Sequence, residues 1–60
     1  MTRDDRLKIA RKWAREKGGI LRRQHAKING MAAYWVEGKN GETICDNWTL
    51  YSIACDAIYA

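Results

Sequence analysis

The chain has 60 residues, 47% hydrophobic and 30% charged, with eleven Lys/Arg against seven Asp/Glu and a formal net charge of +4. A chain this short forms one domain at most and buries only about 60% of its unfolded surface, and its longest apolar run, Met31 to Val36, is far too short to span a bilayer. Two cysteines outside any C-x-x-C pair and a single histidine exclude a disulfide scaffold and argue against a structural zinc site.

Thr2 is a good helix N-cap, Asp5 three positions on makes an acidic variant of the capping box, and Asp4 and Asp5 suit the positive end of a helix dipole. Arg3 to Lys17 contains no Gly, no Pro and one β-branched residue, Ile9, and Gly18-Gly19 closes the run. This predicts a helix. Leu7, Ile9, Ala10, Trp13 and Ala14 share one arc of about 160° as its core face, with Lys8, Arg11, Lys12 and Arg15 within about 100° on the opposite side. Ile20–Ile28 and Met31–Glu37 flank Asn29-Gly30, the pair that a type I′ hairpin turn favours because both central residues take positive φ. Pairing across that turn sets Ile28 opposite Met31, Ala26 opposite Ala33, Gln24 opposite Trp35 and Arg22 opposite Glu37, the last an expected cross-strand ion pair. That face, mainly apolar, is expected to meet the helices. The other is expected to expose Arg23, His25, Lys27 and Tyr34, with Leu21, Ala32 and Val36 around them. The composition of Leu21–Ile28 also permits continued helix.

Gly38–Gly41 reads as a turn, and Glu42–Asp46 as a third strand with Ile44 opposite Trp35 on the core face. Asp46 or Asn47 is expected to cap a final helix running to about Tyr59. Its wheel is apolar except for Thr49, Ser52 and Asp56. So wide a stripe exceeds what one face of a small sheet covers: either the two helices sandwich each other and the sheet, with the aromatic residues as core, or part of this helix meets a second chain in a homodimer that Trp48, Tyr51, Cys55 and Tyr59 anchor.

Charge is split along the chain. Residues 1–29 hold ten Lys/Arg against three acids, a net of +7, and residues 30–60 hold one base against four acids, a net of −3. Lys8, Arg11, Lys12 and Arg15 are placed to lie along a phosphate backbone. An ordinary solvated helix face has the same composition, although Glu16 is the only acid after the first turn. Arg23, His25 and Lys27 alternate on one strand beside Tyr34, a pattern suited to a ribbon in a nucleic-acid groove and equally found on plain exposed sheets. Cys45, Cys55, His25, Asp46 and Asp56 have no spacing that demands a metal or catalytic site, and no nucleophile triad or nucleotide fingerprint is present.

The α-β-β-β-α order resembles the double-stranded-RNA-binding domain. The lysine cluster with which that family's second helix grips phosphates corresponds here to Asn47, Trp48, Thr49 and Leu50, so that determinant is missing. In element order the stretch from Ile20 onward also resembles three-stranded-sheet DNA readers of the integrase arm-binding type, which implies that Arg22, Arg23 and Lys27 lie on or beside a reading surface. The small size and lack of catalytic groups resemble an accessory protein of a phage or other mobile element.

The expected fold is therefore α+β. It is a single compact domain over residues 1–60, with a three-stranded antiparallel sheet packed against two helices. The expected function is a small, non-enzymatic nucleic-acid-binding regulator or accessory protein. Phosphate contacts are assigned to Lys8, Arg11, Lys12 and Arg15, and groove or base contacts on duplex DNA or RNA to Arg23, His25, Lys27 and Tyr34. The alternative is an inhibitor or adaptor that docks the same basic surface on an acidic host protein. No cofactor, metal or membrane partner is expected, and the polar N-terminus with no signal peptide leads us to expect a cytoplasmic chain with reduced thiols.

Overall fold

The structure, a computed structural model, describes residues 2–59. Five elements follow one another: α1 (Arg3–Glu16), β1 (Ile20–Ile28), β2 (Met31–Glu37), β3 (Thr43–Trp48) and α2 (Leu50–Tyr59). The strands form an antiparallel sheet in the order β1-β2-β3. The core is one cluster: Ala10, Trp13 and Ala14 from α1, Tyr34 and Val36 from β2, and Ile53 from α2. Leu21, Ala32, Cys45, Trp48 and Leu50 pack around it. The fold is thus the expected α+β arrangement.

Local chemistry sets both ends of α1. Asp5 N donates to Thr2 Oγ1 and Thr2 N to Asp5 Oδ2, each at 3.2 Å, so the cap is reciprocal. At the other end Gly18 takes φ 85°, Gly18 N donates to the Arg15 carbonyl, and Gly19 N reaches back to Ala14 O at 3.0 Å. This is the Schellman closure, which needs a residue tolerant of the left-handed region. Gly19 then lets β1 start against the end of β2, because a Cβ there would meet Glu37 O at 2.5 Å. Residues 21–28 are strand, not continued helix.

Asn29 (φ 50°) and Gly30 (φ 78°) make the hairpin turn with both central residues at positive φ. Next to it, Ile28 faces Met31 and Lys27 faces Ala32, in the expected register. Beyond Lys27 the register shifts by two. Arg23 faces Tyr34, Arg22 faces Trp35 and Ile20 faces Glu37, so Gln24, His25 and Ala26 stand against Ala33 alone. The expected pairings of Ala26 with Ala33, Gln24 with Trp35 and Arg22 with Glu37 are replaced accordingly. The Arg22–Glu37 ion pair still forms, across a diagonal, with Nη2 to Oε1 at 3.2 Å.

The helices cover the sheet face opposite to the expected one. Ala32, Tyr34 and Val36 point into the core with Leu21 and Cys45, while Met31, Ile44 and Ile20 are exposed on or beside the open face. Ile44 is 41% exposed, not a core residue. The reason lies in β3. Side chains alternate along a strand, so positions 45 and 48 belong on opposite faces. Asn47 takes φ 60°, the register against β2 slips there, and Trp48 joins Cys45 on the helix side, opposite Tyr34. Its ring then meets Trp13 at 4.8 Å between centroids, tilted by 56°. Trp13 Nε1 also donates to Asp56 Oδ2 at 2.8 Å.

Asn47 therefore belongs to β3 and does not cap α2. The cap is Thr49: Ser52 N donates to Thr49 Oγ1 at 3.1 Å and Thr49 N to Ser52 Oγ at 2.9 Å. Trp48 precedes the helix, whose buried residues are Ile53 and Ala54. No helix among the described residues is long and apolar enough to cross a membrane.

Trp13 joins α1 to both β3 and α2 through its ring and its N–H. Trp13→Phe keeps an aromatic ring and removes the donor from half-buried Asp56. A loss of about 1–3 kcal/mol is expected. That lowers the melting temperature by roughly 4–8 °C per kcal/mol in so small a domain. Thermal denaturation followed by circular dichroism measures it, and an unchanged midpoint would show that the hydrogen bond contributes no net stability.

Candidate functional site

Lys8, Arg11, Lys12 and Arg15 are all exposed on the side of α1 away from its buried residues. The helix fold alone brings them together, since residues three and four apart share a face. Arg11 and Arg15 form a groove of about 280 Å³ with Ile20 and Leu21, so their side of α1 runs directly onto β1. Arg23 follows Leu21 on the same face of β1, since Leu21 pairs with Val36 and Arg23 with Tyr34. At the bulge, Arg23, Gln24, His25 and Lys27 line a recess of about 350 Å³ with Ala32. Arg23, His25 and Lys27 are exposed. They share the face that the helices cover, but they lie on the edge strand toward the hairpin tip, beyond the helices' cover.

Tyr34 does not belong to this surface. It is 5% exposed, lies in the core and pairs with Arg23, not His25. Tyr34 lies on the side of β2 that the helices cover, not on the open face where it was expected. The open face carries Arg22, Trp35, Glu37 and Ile44 instead, with Arg22 tied to Glu37.

Two cations were not among the expected contacts. Arg3 and Arg6 line a recess of about 300 Å³ with Met31, Ala32, Tyr34 and Tyr51, among others. A signal for them exists in the sequence. At 100° per residue, Arg3 and Arg6 fall within the arc of Leu7, Ala10 and Trp13, so they extend the packing side of α1 past the end of the core.

Acids are few along this edge, where Glu37 at the end of β2 pairs with Ile20, lines a pocket with Arg15 and is bonded to Arg22. Neither β1 nor the stretch of α1 between Arg6 and Arg15 contains an acid. Asp46 lies on β3, at the far edge of the sheet, and Asp56 on α2. Lys17 is drawn off to the other side as well, its Nζ 4.7 Å from the Trp13 ring centroid.

The four residues expected at a partner interface do come together. Trp48, Tyr51, Cys55 and Tyr59 share one shallow surface depression with Ser52 and Asp56. Tyr51 is 66% and Tyr59 83% exposed, and Ile58 is exposed beside them. Both cysteines are free thiols. Among the described residues no group of three or more His, Cys, Asp or Glu side chains is arranged to hold a metal ion. No protein-family model matches the chain, and neither a curated protein nor a solved structure matches it.

Burial raises the Cys45 thiol above its ordinary value; Lys17 opposes the shift, and Asp46 and Asp56 add to it. The folded state thus disfavours the thiolate. The stability this contributes is present at neutral pH and is lost as pH rises through the raised value. In a Cys55→Ser variant, iodoacetamide alkylation of Cys45 is expected to reach half its maximal rate at a higher pH than alkylation of an unstructured cysteine peptide. A midpoint equal to the peptide's would show that Cys45 is not shielded.

Proposed function

We propose that this protein is a small nucleic-acid-binding regulatory or accessory protein that grips duplex DNA or RNA with the cationic edge formed by α1 and β1. The observation that carries the reading is the lack of internal compensation. Among the described residues, none of Lys8, Arg11, Lys12, Arg15, Arg23 or Lys27 makes an ion pair; the one that forms, Arg22–Glu37, lies on the other face of the sheet. Like charges gathered on one surface oppose compaction, and a polyanion offsets that repulsion. The arrangement is also extended. Cations continue from Arg15 along α1 and from Arg23 along β1, as contacts to successive phosphates require. In this reading Lys8, Arg11, Lys12 and Arg15 hold the backbone, while Arg23, His25 and Lys27 approach it or the groove edges.

The outer side of α2 supports a second part of the proposal, a homodimer. Asp56 is the only charged residue in Leu50–Tyr59, and it is engaged by Trp13. Two copies that each carry +4 repel one another through most of their surface. The face of Trp48, Tyr51, Cys55 and Tyr59 is where a second copy meets apolar surface without facing like charge. Such a dimer presents two cationic edges to one polyanion.

Binding of a short duplex is expected to weaken steeply with salt, by about 0.9 in log K per log salt for each phosphate neutralised. Arg11→Glu with Lys12→Glu is expected to reduce affinity at least tenfold on the basis of that same counterion release. Fluorescence anisotropy across a salt series measures both effects, and absence of binding even at low salt would overturn the reading. An acidic protein that stays bound at fixed stoichiometry after nuclease digestion would favour an inhibitor or adaptor role instead. Sedimentation equilibrium is expected to show a dimer at high micromolar concentration, converted to monomer by Tyr51→Glu. A monomer in the unmodified chain removes the dimer proposal without affecting the first.

A further inference from the structure

The β1 bulge interrupts an otherwise regular hairpin. A plain two-residue hairpin would continue the register of Ile28–Met31 and Lys27–Ala32, yet three residues of β1 here oppose Ala33 alone. The bulge is clamped from outside. Gln24 reaches across β2 to β3, where its Nε2 donates to Asn47 Oδ1 at 3.1 Å and its Oε1 accepts from Asn47 N at 2.7 Å. Both amide ends are thus engaged by one partner, itself held at φ 60°. Ala33 lies between the two strands they join and is fully buried, although its neighbours Ala32 and Tyr34 are the ones that face the helices. Next to Gln24 the recess collects Arg23, His25 and Lys27, with no carboxylate among its lining residues.

A bulge leaves strand groups outside the ladder and re-aims the side chains around it, and bulges are enriched beside functional sites. The clamp ties both ends of the Gln24 amide to Asn47, so its contribution is to position. We infer that the bulge is a seat for one phosphate group, in which Arg23, His25 and Lys27 converge on the phosphate oxygens and the Gln24–Asn47 pair holds their backbone in place. Arg23 supplies the planar, two-pronged donor that phosphate recognition favours. The inference rests on the nucleic-acid reading for the source of that phosphate and adds to it a geometric element. The α1 face attracts by charge alone, whereas the seat requires a shape.

The test uses variants that change shape without changing charge. Gln24→Ala removes both hydrogen bonds of the clamp, and Asn47→Gly removes the side-chain one while keeping a residue that tolerates positive φ. Pyrophosphate is titrated into the isotope-labelled protein, and binding of a short DNA duplex is measured in parallel across a salt series. In the unmodified chain, pyrophosphate is expected to shift the amide signals of residues 23–27 and to compete with the duplex. Each variant is expected to weaken both ligands about three- to tenfold while leaving the salt slope unchanged, since the number of cations is the same. Arg23→Lys is expected to weaken both similarly, whereas Arg11→Lys changes neither. Thermal denaturation of each variant confirms that it folds.

Folded variants that bind both ligands like the parent would overturn the seat, as would pyrophosphate shifts absent from residues 23–27. Either result leaves nucleic-acid binding through α1 standing. Pyrophosphate binding that shifts residues 23–27 and is lost in Gln24→Ala, with no duplex binding at any salt, would support the seat and overturn the nucleic-acid reading.

Discussion

The Trp13 indole is the interaction on which this small structure depends. One side chain on α1 holds the ring of Trp48 from the end of β3, donates to Asp56 on α2, and lies under the Lys17 ammonium. Sixty residues cannot build several independent core layers. Here a single aromatic group makes contacts that distribute among three elements. Its partner Trp48 reaches it only because Asn47 breaks the alternation of β3. Asparagine tolerates the left-handed region better than most residues, and the Gln24 amide meets its backbone N–H as well as its side chain. The same residue therefore brings a tryptophan into the core and fastens the bulge of β1. Packing on one face of the sheet and shape on the other edge are linked through one backbone angle.

The parts of the fold legible in the sequence are those fixed by local chemistry. Thr2 with Asp5 and Gly18-Gly19 bound α1, and Asn29-Gly30 forms the turn, because each demands a dihedral or a hydrogen bond within a few residues. The choice of sheet face was not local. Met31 to Val36 is apolar without interruption, so period-two alternation carries no signal about which side is buried. The decision rests on Trp13 and Trp48, which are distant in the chain. The start of α2 was hidden for a related reason. Asn47 is among the best capping residues, but its side chain is already engaged by Gln24, and the weaker Thr49–Ser52 pair takes over.

The site divides along the same line. Lys8, Arg11, Lys12 and Arg15 are gathered by helical periodicity alone and are found together as expected. Arg23, His25 and Lys27 are exposed, but for a different reason than alternation suggests: they lie on the covered face, toward the hairpin end of an edge strand, beyond the helices' cover. Tyr34 shares that face two residues from Ala32 and is buried because β2 is central, with strands on both sides and helices above. Position within the sheet, not sequence alternation, separates the cations from the tyrosine. The shift of two at the bulge preserves the face of every residue beyond it, so the irregularity leaves Leu21 in the core while changing its neighbours.

Strand order turns a charge split along the chain into a charge split in space. The cationic half ends with β1, and the acidic half contributes β3 and α2. Because the strands are laid down as sequential neighbours, β1 and β3 occupy opposite edges with the nearly neutral β2 between them. An order with β1 in the centre would have set Arg22 and Arg23 beside Asp46 on β3, inviting cross-strand ion pairs. It would also have covered the edge where the bulge opens. The simple meander avoids both. Among the described residues its one cross-strand ion pair, Arg22–Glu37, falls on the open face, and the α2 acid Asp56 is engaged by the Trp13 N–H. Among the described residues the second half of the chain thus supplies the scaffold and pairs with only one cation of the first, Arg22. That separation leaves Lys8, Arg11, Lys12, Arg15, Arg23 and Lys27 without an ion-pair partner among the described residues of so small a domain.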